Sequence, residues 1–180
     1  MWKNSRVLWA MPALVLLSSG CSMMSAVGIG KNIARKDSHL TVYIDGTPAK
    51  QNKLKKGAMG YAEFKVEGTC STSPSFKFEF ADDKNFGRIT STNIQIHQAF
   101  ENNYSNQAEF TIYPAGGNSD NLLEAGKTYN LGSMPAGMEC MNFDRQKVSG
   151  VTLKAGMDYM LVFTVAGDRS ESMQILFSTK

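Results

Sequence analysis

The stretch that decides the fold lies near the C-terminal end and reads Leu153-Lys-Ala-Gly156-Met-Asp-Tyr159-Met-Leu-Val-Phe-Thr-Val165. Its first half is a turn around Gly156, and its second half is an apolar run rich in branched and aromatic residues, which is typical of a strand. Tyr159 stands three residues after the turn glycine. A polar turn, Gly167-Asp-Arg-Ser170, then leads to a closing strand that ends at Thr179, so the tail predicts a β-hairpin.

The placement of Tyr159 resembles the tyrosine corner of immunoglobulin-like and fibronectin-type β-sandwiches, in which the hydroxyl bonds back to the preceding connection. The same phrase occurs 30 residues earlier as Leu123-Glu-Ala-Gly126-Lys-Thr-Tyr129-Asn-Leu131. Two copies of so short a phrase predict two similar turns rather than a repeat array, which needs about three units. The resemblance implies an immunoglobulin-like sandwich, although the buried Trp of antibody domains is missing.

Upstream of this stretch, short segments of alternating apolar and polar residues are bounded by Gly, Pro, Asn, Asp and Ser, which is typical of half-buried strands. No segment shows a sustained helical period. We therefore predict a single all-β sandwich domain over residues 39–180. Its predicted strands are Leu40–Ile44, Tyr61–Glu67, Phe76–Phe80, Ile89–Phe100, Glu109–Tyr113, Thr128–Leu131, Val148–Leu153, Tyr159–Val165 and Met173–Phe177.

The first 20 residues have the order of a secretory signal. Lys3 and Arg6 precede an apolar run from Val7 to Leu17, and Ser18-Ser19-Gly20 follows it. A bilayer span needs roughly 20 apolar residues, so this run is too short for a permanent transmembrane helix, and Pro12 would kink it. The sequence predicts that residues 1–20 are a cleaved signal peptide.

The junction Leu17-Ser18-Ser19-Gly20-Cys21-Ser22 resembles the lipobox of bacterial lipoproteins, which is cleaved before a lipidated cysteine. The resemblance implies that Cys21 carries the lipid and that residues 21–38 form a tether. Ser22, rather than Asp, after the cysteine implies an outer-membrane location by the sorting pattern of that family. The family prefers Leu where Ser18 stands, which leaves ordinary signal cleavage after Gly20 open.

The cysteine count agrees with lipidation, because an exported chain with only Cys21, Cys70 and Cys140 has one thiol too many for pairing. Lipid on Cys21 would leave Cys70 and Cys140 to form a disulfide in an oxidising compartment. Such a bond would close a 70-residue segment, which the chain-entropy model values at about 4 kcal/mol. Two free buried thiols are the alternative.

From the charge balance we expect that the protein does not bind nucleic acid. Removal of the signal takes away two of the 19 basic residues and none of the 16 acidic residues, which leaves a net charge of +1. That value provides no electrostatic footprint for a polyanion or an anionic membrane surface. Both tryptophans, Trp2 and Trp9, lie in the signal, so the remaining domain lacks the best platform for stacking sugars.

The inventory of catalytic side chains is poor. His39 lies at the edge of the tether, and His97 alternates with Ile94 and Ile96, so we expect it on the polar face of a strand as a solvated or hydrogen-bonded residue. No motif of a nucleophile elbow, zinc protease, redox dithiol or phosphate loop is present. We expect a protein with no catalytic residues and no cofactor.

Two segments carry weaker ligand signals. Asp83-Lys-Asn85-Phe-Gly87 alternates oxygen ligands before a glycine, as calcium loops do, but no bidentate Glu follows, and we predict an ordinary turn. Met134-Pro-Ala-Gly-Met138-Glu-Cys140-Met141 gathers soft sulfur, which selects Cu(I). Pairing of Cys140 would remove its thiolate, so we predict no metal site and assign these methionines to the core.

The sequence thus leads to a non-catalytic lipoprotein that is held on a membrane by its lipid and presents a sandwich to an envelope protein. Such a protein would be an accessory part of an envelope assembly or a surface attachment factor. An exposed strand edge could receive an extended segment of the partner by β-augmentation. Two alternatives remain open, which are a periplasmic inhibitor of a hydrolase such as lysozyme and a soft-metal (copper) binding protein.

Overall fold

The computed structural model describes residues 39–56, 62–81, 87–100, 103–117 and 122–180. The predicted signal, Cys21 and the tether therefore lie outside the described residues. The described part is all-β, as predicted, and holds no helix long and apolar enough to cross a bilayer. Its strands are β1 Leu40–Ile44, β2 Thr47–Pro48, β3 Lys50–Lys56, β4 Ala62–Cys70, β5 Ser75–Phe80, β6 Ser91–Phe100, β7 Asn103–Tyr104, β8 Phe110–Pro114, β9 Tyr129–Asn130, β10 Met138–Asn142, β11 Lys147–Val148, β12 Asp158–Ala166 and β13 Ser170–Thr179.

The strands form two sheets that pack face to face. The smaller sheet has the order β2-β1-β5-β9, and the larger has the order β11-β10-β8-β6-β12-β13-β4-β3, with β7 paired to the end of β6. Neighbours are antiparallel except β13 and β4, which run parallel. The predicted C-terminal hairpin is confirmed as β12–β13, which pairs from Asp158 opposite Ser178 to Ala166 opposite Ser170.

The core lies between the sheets because the strands alternate buried and less buried side chains. On β12, Phe163 is fully buried and points at the smaller sheet. Its ring centroid lies 5.0 Å from that of Phe76 and 4.8 Å from that of Phe78, both on β5. Aromatic pairs at this spacing add to the free energy gained by burying apolar area. These three rings join the two sheets at the centre of the sandwich.

The β1–β2 turn is built on Asp45 and Gly46, which both have positive φ, at 49° and 73°. A two-residue turn of this kind matches the twist of a hairpin and favours an Asp-Gly pair. The Asp45 carboxylate also accepts hydrogen bonds from the backbone N–H groups of Ser71 and Ser75, at 2.6 and 2.7 Å. One side chain thereby ties the β1–β2 turn to the connection between β4 and β5.

The predicted strand over Val148–Leu153 is wrong beyond its first residue, since only Val148 belongs to a strand. The backbone N–H of Val151 donates to the carbonyl of Leu131 at 2.7 Å, and that of Leu153 donates to the carbonyl of Thr72 at 2.7 Å. The segment is an irregular connection that buries Val151 and Leu153 in the core. The alternating apolar pattern of this segment therefore reflects burial of Val151 and Leu153 in the core and not a strand.

Candidate functional site

A cleft lies on the outer face of the larger sheet, over β6, β8 and β10. Its floor is a row of three side chains, Gln95, Thr111 and Met141, which stand opposite one another on the three strands. They face outward because their strand neighbours Ile94, Ile96, Ile112 and Cys140 are buried in the core, and side chains alternate along a strand. We call this site the β6–β8–β10 cleft.

The rim of the cleft comes from two loops. Asn106, Gln107 and Ala108 belong to the connection between β7 and β8, and Asn142, Phe143 and Arg145 belong to the turn between β10 and β11. Gln107 Nε2 donates a hydrogen bond to the carbonyl oxygen of Phe143 at 3.0 Å, which joins the two loops. The cleft has a volume of about 300 Å³, at the lower limit for sites that bind small molecules.

The β10–β11 turn is held in shape by its own hydrogen bonds. Asn142 Oδ1 accepts from the backbone N–H of Gln146 at 2.8 Å, and the backbone N–H of Arg145 donates to the carbonyl of Asn142 at 2.9 Å. Arg145 adopts a left-handed conformation with φ of 60°. The turn therefore fixes the backbone from which the Arg145 side chain reaches the cleft.

His97 holds the other loop. It lies on the outer face of β6, where only 7% of its surface is exposed, and its Nδ1 lies 2.9 Å from the carbonyl oxygen of Ser105. Burial lowers the pKa of His97, and the carbonyls of Ser105 and Gln107 oppose this effect in part. Because a carbonyl only accepts, Nδ1 carries the proton in this bond. The expectation of a hydrogen-bonded histidine on the outer face of a strand is confirmed.

The charge of the cleft is positive. Among the described residues that line the cleft, Arg145 is the one cationic side chain, and none is Asp or Glu. The carboxylate of Glu139, two residues before Met141 on the same face of β10, is already engaged. It lies 2.7 Å from Lys147 Nζ and accepts from the Tyr113 hydroxyl at 3.4 Å.

Two exposed aromatic side chains lie at the same end of the larger sheet as the rim. Phe100 at the end of β6 is 57% exposed, and Phe143 is 46% exposed, whereas the other phenylalanines of the described part are buried or half-buried. Strand register aligns Ile96, Phe110 and Asn142, and both exposed rings lie beyond that row in the same direction. Exposed aromatic side chains are enriched at protein interfaces relative to the rest of the surface.

The predicted disulfide between Cys70 and Cys140 is not formed. Both are free thiols, both are buried, and each belongs to the core. Cys70 lies on β4 and Cys140 on β10, with β8, β6, β12 and β13 between them in the sheet. Five strand spacings amount to about 24 Å along the sheet, whereas a disulfide joins Cα atoms about 4.4–6.8 Å apart. Burial raises the pKa of each thiol to about 11.

The sulfur-rich segment is divided by strand alternation. Met138 and Cys140 point into the core from β10, whereas Met141 points outward into the cleft. Met134 packs against the core before the strand begins. Within the described ranges, no three or more His, Cys, Asp and Glu side chains gather into a group that could hold a metal ion.

Of the remaining predicted candidates, His39 is described and is not among the residues that line the cleft. His39 precedes β1 and is exposed, and its carbonyl accepts from the backbone N–H of Ala81 at 2.7 Å. Asp83 and Asn85 lie outside the described residues, as does Cys21. Sequence reasoning missed Arg145, Phe143 and Gln107. The turn-forming run Asn142-Phe-Asp-Arg-Gln146 marks the position of the first two.

The strand edges of the described sheets are short or charged. Three of the four edge strands, β2, β9 and β11, have two residues each. The fourth, β3, has seven residues with the sequence KQNKLKK, in which four are lysine. Short edges and edge lysines are the means by which proteins discourage pairing with a further strand.

No protein-family model matches the chain, and neither a curated protein nor a solved structure shows significant similarity to it.

Proposed function

We propose that this chain is a non-catalytic envelope lipoprotein that presents its β-sandwich to a protein partner, as an accessory part of an envelope assembly or as a surface attachment factor. The anchor in this proposal is lipid on Cys21, in the outer membrane. A tether over residues 21–38 would confine the domain to a thin layer and raise its effective concentration toward neighbours on the same membrane.

The observation that carries the proposal is the pair of exposed rings, Phe100 and Phe143, at one end of the larger sheet. Aromatic side chains and Arg are enriched at protein interfaces relative to the rest of the surface. Arg145 lies two residues from Phe143 in the same turn. An aromatic and a cationic anchor on one hydrogen-bonded turn suit a protein partner.

We call the end of the larger sheet that carries Phe100 and Phe143 the loop end. It suits a protein partner better than the strand edges do. Two-residue edge strands offer little backbone for a further strand, and the lysines of β3 oppose pairing with an apolar segment. We therefore place the main contact at Phe100, Phe143 and the cleft rim. If the partner binds by β-augmentation, we expect an acidic segment of it to pair with β3.

One observation favours the hydrolase inhibitor as a second candidate. Several hydrogen bonds hold the loop that follows β7. The Ser105 hydroxyl donates to the carbonyl of Gln107 at 2.8 Å and accepts from its N–H at 3.3 Å, and the Ser105 carbonyl is bound by His97. A rigid loop with a serine is what insertion into a catalytic cleft requires, although this hydroxyl is occupied within the loop.

The test is photocrosslinking in cells. A photoreactive amino acid is placed at Phe100 or Phe143, and the control carries it at the exposed Ser91, which begins β6 at the opposite end of the sheet. We expect both test positions to trap the same one or few envelope proteins, and we expect Ser91 to trap none of them.

The outcomes separate the candidates. Recovery of only lysozyme-like enzymes, with inhibition at stoichiometric dose, would favour the inhibitor. Equal products from Ser91, or none from either test position, would contradict a partner at the loop end. Reproducible enzymatic turnover that is abolished by one Asp, Glu or His97 substitution would overturn the non-catalytic assignment.

A further inference from the structure

We propose that the β6–β8–β10 cleft binds a carboxylate side chain of the protein partner, with Arg145 as its counter-charge. This inference rests on the proposed function, because it names the chemistry by which the loop end would select a partner. It turns a general contact surface into a site with a defined specificity for an Asp or Glu residue.

The first argument is charge. None of the described residues that line the cleft carries a carboxylate, and the adjacent Glu139 carboxylate is bound by Lys147. The burial of His97 favours its neutral form near pH 7, so Arg145 alone sets the charge of the lining. A guanidinium presents a planar set of donors that matches the two oxygens of a carboxylate. The complementary ligand is therefore an anion with that geometry.

The second argument is the supply of hydrogen-bond donors. Asn142 uses its Oδ1 to hold Gln146 N–H, which leaves the Nδ2 group as a donor. The carboxamide of Gln95 and the hydroxyl of Thr111 on the cleft floor are donors of the same kind. A carboxylate bound by Arg145 has lone pairs beyond those that the guanidinium satisfies, and these neutral donors can meet them.

The third argument is the mixture of apolar and polar lining. Met141 on the floor and Phe143 on the rim can contact the methylene groups of an acidic side chain, since thioethers and aromatic rings pack against irregular apolar surfaces. A volume of about 300 Å³ accommodates one side chain with its hydration. Size, charge and apolar contact together favour a single acidic residue on a partner loop over a large cofactor.

The experiment is amide NMR on the isotope-labelled protein, titrated with two probes of the same shape. N-acetyl-glutamate N-methylamide carries the carboxylate, and N-acetyl-glutamine N-methylamide replaces it by an amide. We expect the glutamate probe to shift the signals of Asn142 to Arg145 and of the Gln107 side chain. The glutamine probe should bind about tenfold more weakly, because a charge-assisted hydrogen bond is lost.

Variants assign the effect to Arg145. Arg145→Gln should make the two probes equivalent, and Arg145→Lys should recover part of the difference because it keeps charge without the fork. Arg88→Gln is the matched control, since Arg88 is exposed and does not line the cleft, and it should change nothing. The turn is exposed, and the unperturbed amide spectrum of each variant will verify that it folds.

Several results would overturn the inference: equal binding of both probes, shifts from neither probe, or unchanged discrimination in Arg145→Gln. D-glucuronate is the third probe, and tighter binding of this acidic sugar than of the glutamate probe would replace the protein ligand by a carbohydrate.

Failure of the proposed function is distinguished from failure of the carboxylate site by combining the two experiments. Crosslinking at Phe143 that persists in Arg145→Gln contradicts only the carboxylate site, whereas selective probe binding without any crosslinked protein contradicts only the partner.

Discussion

The hydroxyl oxygen of Tyr159 accepts a hydrogen bond from the backbone N–H of Lys154 at 3.0 Å, across the turn that feeds β12. Tyr129 makes the same contact with the backbone N–H of Glu124, at 2.8 Å. Each bond spans five residues and encloses a glycine with positive φ, Gly156 in the first turn and Gly126 in the second. The chain thus uses one corner twice, once beside each sheet.

We predict that Tyr159→Phe and Tyr129→Phe each lower the free energy of unfolding by about 1–2 kcal/mol, because each removes one hydrogen bond to a backbone N–H and leaves the ring in place. The two effects should add, since the turns share no partner. Chemical denaturation of the single and double variants measures them. Tyr113→Phe is the control, because its hydroxyl makes a longer, 3.4 Å contact with Glu139, and it should change stability by less than about 0.5 kcal/mol.

The corners could be predicted because they are local. The Tyr159 hydroxyl, Gly156 and the Lys154 N–H that donates to the hydroxyl lie within a few residues of one another. Sequence spacing alone therefore determines whether the hydroxyl can reach the backbone. The alternating strands were predicted for the same reason, since the two-residue period of Leu40 to Ile44 is visible without knowing its neighbours. Local periodicity therefore predicted the sandwich and most of its strands.

The sequence does not predict strand β10, because Met138, Cys140 and Met141 have weak strand propensity. Their sulfur atoms instead resemble a soft-metal site. The same residues look like a cluster in sequence, but alternation places two of them in the core and one outside. The cleft was missed for a different reason. Its floor depends on the register that sets Gln95, Thr111 and Met141 side by side, and such non-local pairing has no signature in one sequence.

The second prediction concerns Cys70 and Cys140, which are two buried, protonated thiols and not the predicted disulfide. At neutral pH the thiolate is the reactive form, and a pKa of about 11 for Cys70 and Cys140 keeps its population small. We expect no labelling by thiol reagents in the native protein, and labelling of both cysteines in denaturant without any reductant. Mass spectrometry of the labelled peptides makes the measurement.

Labelling of Cys70 and Cys140 only after reduction would contradict the free thiols and restore the disulfide. Stability gives an independent check. A reductant should leave the free energy of unfolding unchanged, whereas loss of a disulfide over this 70-residue segment would cost about 4 kcal/mol.

The third prediction concerns the anchor. Cys21→Ser should give an unprocessed or soluble product that migrates differently from the wild type, because the lipid cannot be attached. Metabolic labelling with a fatty acid and membrane fractionation measure the change. If the variant still fractionates with the outer membrane and the wild type takes up no labelled fatty acid, the chain is not anchored through Cys21.

The fourth prediction is a pH dependence of stability that comes from His97. Burial lowers its folded-state pKa below the ordinary value of 6.5, so below that pH the unfolded chain binds more protons than the folded one. Stability should therefore be complete above about pH 6.5 and fall as pH decreases toward the lower folded value. The decrease between about pH 6.5 and about pH 5 precedes the titration of ordinary carboxylates.

His97→Gln tests this argument, because the Gln side chain can donate to the Ser105 carbonyl but does not titrate in this range. The variant should show a flatter dependence of the free energy of unfolding on pH, whatever its absolute stability. His39→Gln is the control and should keep the wild-type slope, since His39 is exposed. An identical slope in wild type and His97→Gln would show that the folded protein binds the His97 proton as readily as the unfolded chain. In that case burial would not disfavour the charged form of the His97 imidazole in the folded protein.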